Sequence, residues 1–157
     1  MLLEGEQLSS EGARHAEVFK QLGLSHAYAG HGAGRDVLAM ANEALQNAAK
    51  PGGAGMSSIF ATDEAMLRSL TAAQAEVAAG KGIESGAKTL IDIPATPNTG
   101  RVFIARSKMP ACVTPLNETP LTALPDVAEV PATHVRALFT KTDRGFEIFD
   151  IFPGFSP

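Results

Sequence analysis

Tryptophan is absent from this chain, and cysteine and tyrosine occur once each. No apolar run approaches the roughly 18 residues that a membrane-crossing helix needs. The lone Cys112 excludes an internal disulfide and a cysteine-based zinc site. It lies in the proline-rich stretch Met109-Pro-Ala-Cys-Val-Thr-Pro115, which supplies no neighbouring base to activate a thiol. Positive charge is not in surplus either: 13 Lys and Arg stand against 17 Asp and Glu, a net charge of −4. That balance argues against a protein that coats nucleic acid broadly, but not against a small nuclease cleft. The first residues, Met1-Leu-Leu-Glu-Gly-Glu-Gln7, have neither the basic nor the apolar region of a signal peptide. HExxH, CxxC, the P-loop, a GxGxxG after a strand and GxSxG are all missing. Gly30-His-Gly-Ala-Gly34 has the composition of a phosphate nest without the Lys-Ser/Thr that follows one.

What is present is a globular composition: 157 residues, 45% apolar and 19% charged, enough for one domain with one core. Acid concentrates early. Residues 1–86 hold six Lys and Arg against ten Asp and Glu, whereas residues 87–157 hold seven of each. Ser9-Ser10-Glu11 opens a predicted helix with Ala13, Ala16, Phe19 and Leu22 on one face and Gly23 as its stop. Residues 24–34 read as a polar connector rich in Gly and His. A second helix is predicted from Asp36, with Leu38, Ala41, Leu45 and Ala48 buried, ending at Lys50-Pro-Gly-Gly-Ala-Gly55. Ser57–Ala61 is a short strand or extended lead-in. Thr62-Asp63-Glu64 then caps the clearest helix, with the stripe Met66, Leu70, Ala73, Val77 and a stop at Gly80. Gly80 to Gly86 reads as a loop.

From Ala87 the period changes from helical to alternating. Lys88–Ile93 and Arg101–Arg106 read as strands, and residues 107–133, with five prolines, as a long surface excursion. The last quarter, His134 to Pro153, places two runs of β-formers around Thr142-Asp143-Arg144-Gly145, a predicted hairpin with a one-residue bulge at its left-handed glycine. In that register Lys141 faces Glu147, Thr140 faces Ile148 and Leu138 faces Asp150. Asp150 then shares a face with Phe146, Ile148 and Phe152, with Arg136 diagonal to it. A carboxylate on an apolar face must be paired, solvated or shifted in pKa. The expected fold class is α+β: N-terminal helices packed on an antiparallel sheet of about four strands ending in a β-hairpin.

Two histidines, His26 and His31, flank the connector's Tyr28, with Arg35 just beyond. Histidine is the usual general base near neutral pH. A base, a cation and hydroxyls suffice for metal-free RNA cleavage, in which the ribose 2′-hydroxyl attacks its own phosphate. His15 reads as helix surface, and His134 as an edge or cleft residue at the start of a strand.

Three stretches resemble small toxin nucleases of the barnase/EndoU/colicin/RelE-like superfamily. Gln21-Leu-Gly-Leu-Ser-His26-Ala-Tyr-Ala-Gly30 is similar to that group's Lys-Gln-x-x-Lys-His-Ile-x-Gly motif. Ser58 to Leu70, continuing to Ala79-Gly-Lys-Gly82, resembles its helix with an Ala-Gly-Lys-Gly end. Phe139 to Pro153 resembles its closing hairpin. The resemblance implies a catalytic toxin domain over residues 24–157, preceded by a linker helix in 1–23. Such a domain belongs to a larger secreted or cell-surface-delivered effector acting in the target-cell cytoplasm. It cuts RNA, often tRNA, without metal or other cofactor, and a cognate immunity protein blocks it. By position, His26 takes the place of the motif histidine, Thr140 and Lys141 that of the hairpin's Ser-Lys, and Glu147 that of its last-strand histidine. The expected catalytic set is His26, His31, Thr140, Lys141 and Glu147, with Arg35, Arg136 and Asp150 on the substrate. Ser25, Leu138 and Glu147 depart from the group's Lys, His and His. Two other readings stay open: a toxin acting on NAD, with Glu147 or Asp150 beside a cationic ribosyl centre, and a non-catalytic binding module in which Asp150 and Arg136 form a structural ion pair.

Overall fold

The computed structural model describes residues 17, 19–80, 83–85, 88–96, 98–116, 121, 124–143 and 145–157, of which 83–85 by backbone only. Among the described residues, the helices α1 (Ser25–His31), α2 (Val37–Ala49) and α3 (Asp63–Ala78) accompany seven strands and a short 3-10 turn at Arg106–Lys108. The strands are β1 (Met56–Phe60), β2 (Ile83–Ser85), β3 (Lys88–Pro94), β4 (Gly100–Ala105), β5 (Val127–Pro131), β6 (His134–Thr142) and β7 (Gly145–Gly154). The class is α+β as expected, but the strands divide between two antiparallel sheets. One has the order β1-β4-β5, the other β2-β3-β6-β7. Thus β3 and β4, adjacent in sequence, belong to different sheets. No helix among the described residues is long and apolar enough to cross a membrane.

Local chemistry explains most helix ends. The expected first helix lies mainly outside the described residues, yet its stop is visible. Gly23 has φ +76°, Leu24 N–H donates to the Phe19 carbonyl at 2.7 Å, and Gly23 N–H to that of Lys20 at 3.0 Å. This is the paired closure that a left-handed glycine permits. Asp36 caps α2 by accepting from Ala39 N–H, and Thr62 caps α3 by accepting from Ala65 N–H. The α3 stripe is as predicted, with Met66, Leu70 and Ala73 buried and Val77 packed beside them. The α2 stripe is rotated: Met40, Ala41 and Ala44 are buried and Leu38 is 39% exposed. Alanine-rich helices offer more than one apolar stripe, and the smaller side chains here let α2 lie close on its sheet.

Other departures follow from context. Residues 25–31 form a helix where a connector was expected, and β2 lies within the expected loop 80–86. The excursion 107–133 contains β5, whose apolar run is interrupted by Glu129 and bounded by Pro125 and Pro131. Glu129 is 7% exposed, and it is tolerated because Arg101 donates to it from Nε at 3.1 Å and Nη2 at 2.6 Å. Pro131 ends an edge strand, where a missing N–H costs nothing.

The hairpin register corrects the sequence expectation. Leu138 does pair with Asp150, but Phe139 pairs with Ile148, Thr140 with Glu147 and Lys141 with Phe146. The bulge therefore sits at Phe149 and not at the turn, of which Arg144 lies outside the described residues. One extra residue flips the alternation. Phe146 and Ile148 face the helices, whereas Asp150 lies on the opposite face with Leu138.

Each sheet has its own core. The four-stranded sheet turns Ile91, Val135, Ala137, Phe139 and Ile151 toward Phe19, Leu24, Met66 and Leu70. The three-stranded sheet packs Ile59, Phe103 and Val127 on α2, and Val102, Ile104 and Val130 on Phe155. The sheets meet where β7 reaches β1 and β4. A Cβ added to Gly100 would stand 2.5 Å from the Ile59 carbonyl oxygen and 2.6 Å from Pro153 Cγ. Gly100→Ala is expected to destabilise the fold by about 1–3 kcal/mol through overpacking at this seam, read as a lower urea midpoint. An unchanged midpoint would contradict so close a contact.

Candidate functional site

A cavity of about 310 Å³ opens at the seam, and His31, His134, Arg136, Ser58 and Phe152 are among the residues that line it. Three elements deliver these groups. His31 closes α1, which is anchored by buried Ala27 and by Tyr28. The Tyr28 ring stacks on Phe19 at 4.6 Å, and its hydroxyl donates to Asp63 at 3.3 Å. Burial, and then the Asp63 carboxylate, raise the Tyr28 pKa, which keeps that hydroxyl a donor. The His31 ring stacks on Phe152 of β7 at 5.1 Å, and its Nδ1 lies 2.8 Å from the Ser58 carbonyl of β1. A carbonyl only accepts, so Nδ1 carries the proton and Nε2 holds the free lone pair in the neutral ring.

His134 and Arg136 are two residues apart on β6 and hence on one face. His134 Nδ1 is 3.0 Å from the Thr133 hydroxyl, and its ring lies against Gly154, where any side chain would collide with it. Arg136 is paired not with Asp150 but with Asp92, its cross-strand partner on β3, through Nε at 2.8 Å and Nη2 at 2.9 Å. This corrects the ion pair expected from sequence. Asp150 does lie beside Leu138 as expected, but its carboxylate accepts from Ile151 N–H at 2.9 Å. The Arg136 guanidinium holds the Asp92 carboxyl below its usual value, and the same bond raises Arg136. The fork uses two of five guanidinium N–H groups, leaving Nη1 and one N–H of Nη2 for an anion.

The remaining expected site residues lie elsewhere. Thr140 and Glu147, which face each other, line a second and larger cavity of about 940 Å³ with Gln21 and Gln74. Lys141 is exposed beside Phe146. His26 is exposed on α1 and lines neither cavity. Arg35 is tied to the Ala29 carbonyl at 3.2 Å and paired with Glu43. Sequence reasoning left out Asp92 and gave His134 no role. The alternation of His134 and Arg136 on one strand face was the available signal for His134; nothing local pointed to Asp92. Among the described residues no group of three His, Cys, Asp or Glu side chains is placed to hold a metal ion.

The chain matches no family model and no curated protein. Among solved structures it is similar to a CdiA-CT/CdiI complex from Y. kristensenii 33638, at 14% identity and a TM-score of 0.48, over 78% of this chain and 93% of that one. At these values the likeness establishes neither a common activity nor a common site.

The Asp92–Arg136 pair predicts a pH dependence. With the folded pKa of Asp92 depressed, its contribution is complete above the ordinary aspartate value of about 4 and is lost as pH falls through the lower folded value. Both side chains are 39% exposed, so the contribution is small, about 0.2–1 kcal/mol. Asp92→Asn is expected to lower the urea midpoint at pH 7 and to converge on the wild type in acid. A gap that persisted at low pH would assign the loss to something other than this charge pair.

Proposed function

We propose that this chain is the toxin domain of a larger delivered effector and cuts RNA without a metal cofactor, through attack of a ribose 2′-hydroxyl on the adjoining phosphate. One observation carries the ribonuclease reading: His31, His134 and Arg136 converge on a single cavity in an otherwise acidic chain. His31 Nε2 takes the 2′-hydroxyl proton. The free N–H groups of Arg136 bind the phosphate and meet the charge that builds on it in the transition state. The toxin assignment rests on the resemblance of the 21–30, 58–82 and 139–153 stretches to small toxin nucleases, and implies RNA, often tRNA, as substrate and a cognate immunity protein. The NAD reading placed Glu147 or Asp150 at the reacting centre, and neither lines the cavity that holds the two histidines.

Incubation with total tRNA, and separately with NAD, both in chelator, separates the readings. The expected products are RNA fragments ending in 2′,3′-cyclic phosphate, with His31→Ala slower by about 10²–10⁴-fold. NAD consumption with intact RNA would overturn this function in favour of the alternative. Inertness toward both, with harmless expression in a bacterial cell, would identify a binding module.

A further inference from the structure

We propose that His134 is the second proton-transfer group of this site, donating from Nε2 to the departing 5′-oxygen, with Thr133 as its positioning residue; the proposal rests on the ribonuclease reading. The two histidines differ in the nearest partner of Nδ1, although the Ser58 hydroxyl also lies 3.5 Å from that of His31. His31 Nδ1 meets the Ser58 carbonyl, a group that only accepts, so its neutral ring presents a lone pair at Nε2. His134 Nδ1 meets a hydroxyl. Thr133 Oγ1 already accepts from Ser156 N–H at 2.8 Å and has the Gly154 carbonyl at 3.5 Å for its own proton, which leaves a second lone pair facing Nδ1 at 3.0 Å. That arrangement receives Nδ1–H from an imidazolium and keeps Nε2 as the end that gives up its proton.

Space and charge agree with this role. The His134 ring fills the space that a side chain at Gly154 would take, which seats it in the cavity wall with Arg136 and His31. The ladder pairs His134 with Pro94 and Arg136 with Asp92, so the Asp92 carboxylate is diagonal to His134, within reach of the positive charge a protonated imidazole carries. The step balances. The O2′–H bond breaks and its proton passes to His31 Nε2 as O2′ bonds phosphorus. The P–O5′ bond breaks and O5′ takes the His134 Nε2 proton, leaving a 2′,3′-cyclic phosphate and a 5′-hydroxyl. No net proton is gained or lost.

The assignment is tested with two substrates, a ribodinucleotide and a ribonucleoside 3′-(4-nitrophenyl phosphate), whose phenolate leaves without protonation. His134→Ala is expected to slow dinucleotide cleavage by about 10²–10⁴-fold while leaving release of nitrophenolate within roughly tenfold of wild type. His31→Ala is expected to lose both. Thr133→Val should follow His134→Ala in direction, with a smaller loss confined to the dinucleotide. Thermal melting checks each variant, and His134→Gln replaces the alanine variant should that one fail to fold. Equal loss on both substrates, or no loss on the dinucleotide, would overturn the role of His134. A wild type inert toward both substrates removes the ribonuclease reading, and this assignment with it.

Discussion

The close approach of Gly100 to Pro153 and the Ile59 carbonyl is the contact on which the rest of the arrangement depends. It lets one strand, β7, close a hairpin with β6 and also abut the three-stranded sheet. Hydrogen bonds from Ala61 N–H to the Thr99 carbonyl and from Thr133 N–H to the Gly154 carbonyl, at 3.0 and 2.8 Å, hold the same region. His31 draws a support from each side of that join, the Ser58 carbonyl from β1 and the Phe152 ring from β7. Parting the sheets would therefore dissolve the cavity and release the histidine together.

The bulge at Phe149 is the second constraint. With uninterrupted alternation, Asp150 would point into the same core as Ile148, and burying an unpaired carboxylate costs several kcal/mol. One inserted residue moves it to the other face and returns Ile151 to the core. The inserted Phe149 is itself 37% exposed, with Lys88 Nζ 5.7 Å from its ring centroid. The same phase change puts Phe152 on the face that meets His31.

Two arginine–carboxylate forks serve different ends. Arg101 satisfies Glu129 inside the smaller sheet's core, where losing the arginine would strand a buried charge. Arg136 and Asp92 stand half in water, where the pair adds little stability but fixes the plane of a guanidinium at the cavity wall.

Features that depend on near neighbours were legible in the chain itself. The caps at Asp36 and Thr62, the stops at Gly23 and Gly80, the α3 stripe, the α+β class and the terminal hairpin all follow from side chains within a few residues of one another. His31 and Arg136 were legible as chemistry-bearing residues, but not as neighbours. Tertiary structure alone decided the division into two sheets, the rotation of α2, the bulge position, the strand around Glu129 and the pairing of Arg136 with Asp92, 44 residues away. The reason is physical. Periodicity records which face a residue turns to the core, whereas a register slip of one residue, or a partner from a distant strand, is set by packing volumes and charge pairing that exist only once the sheets have met.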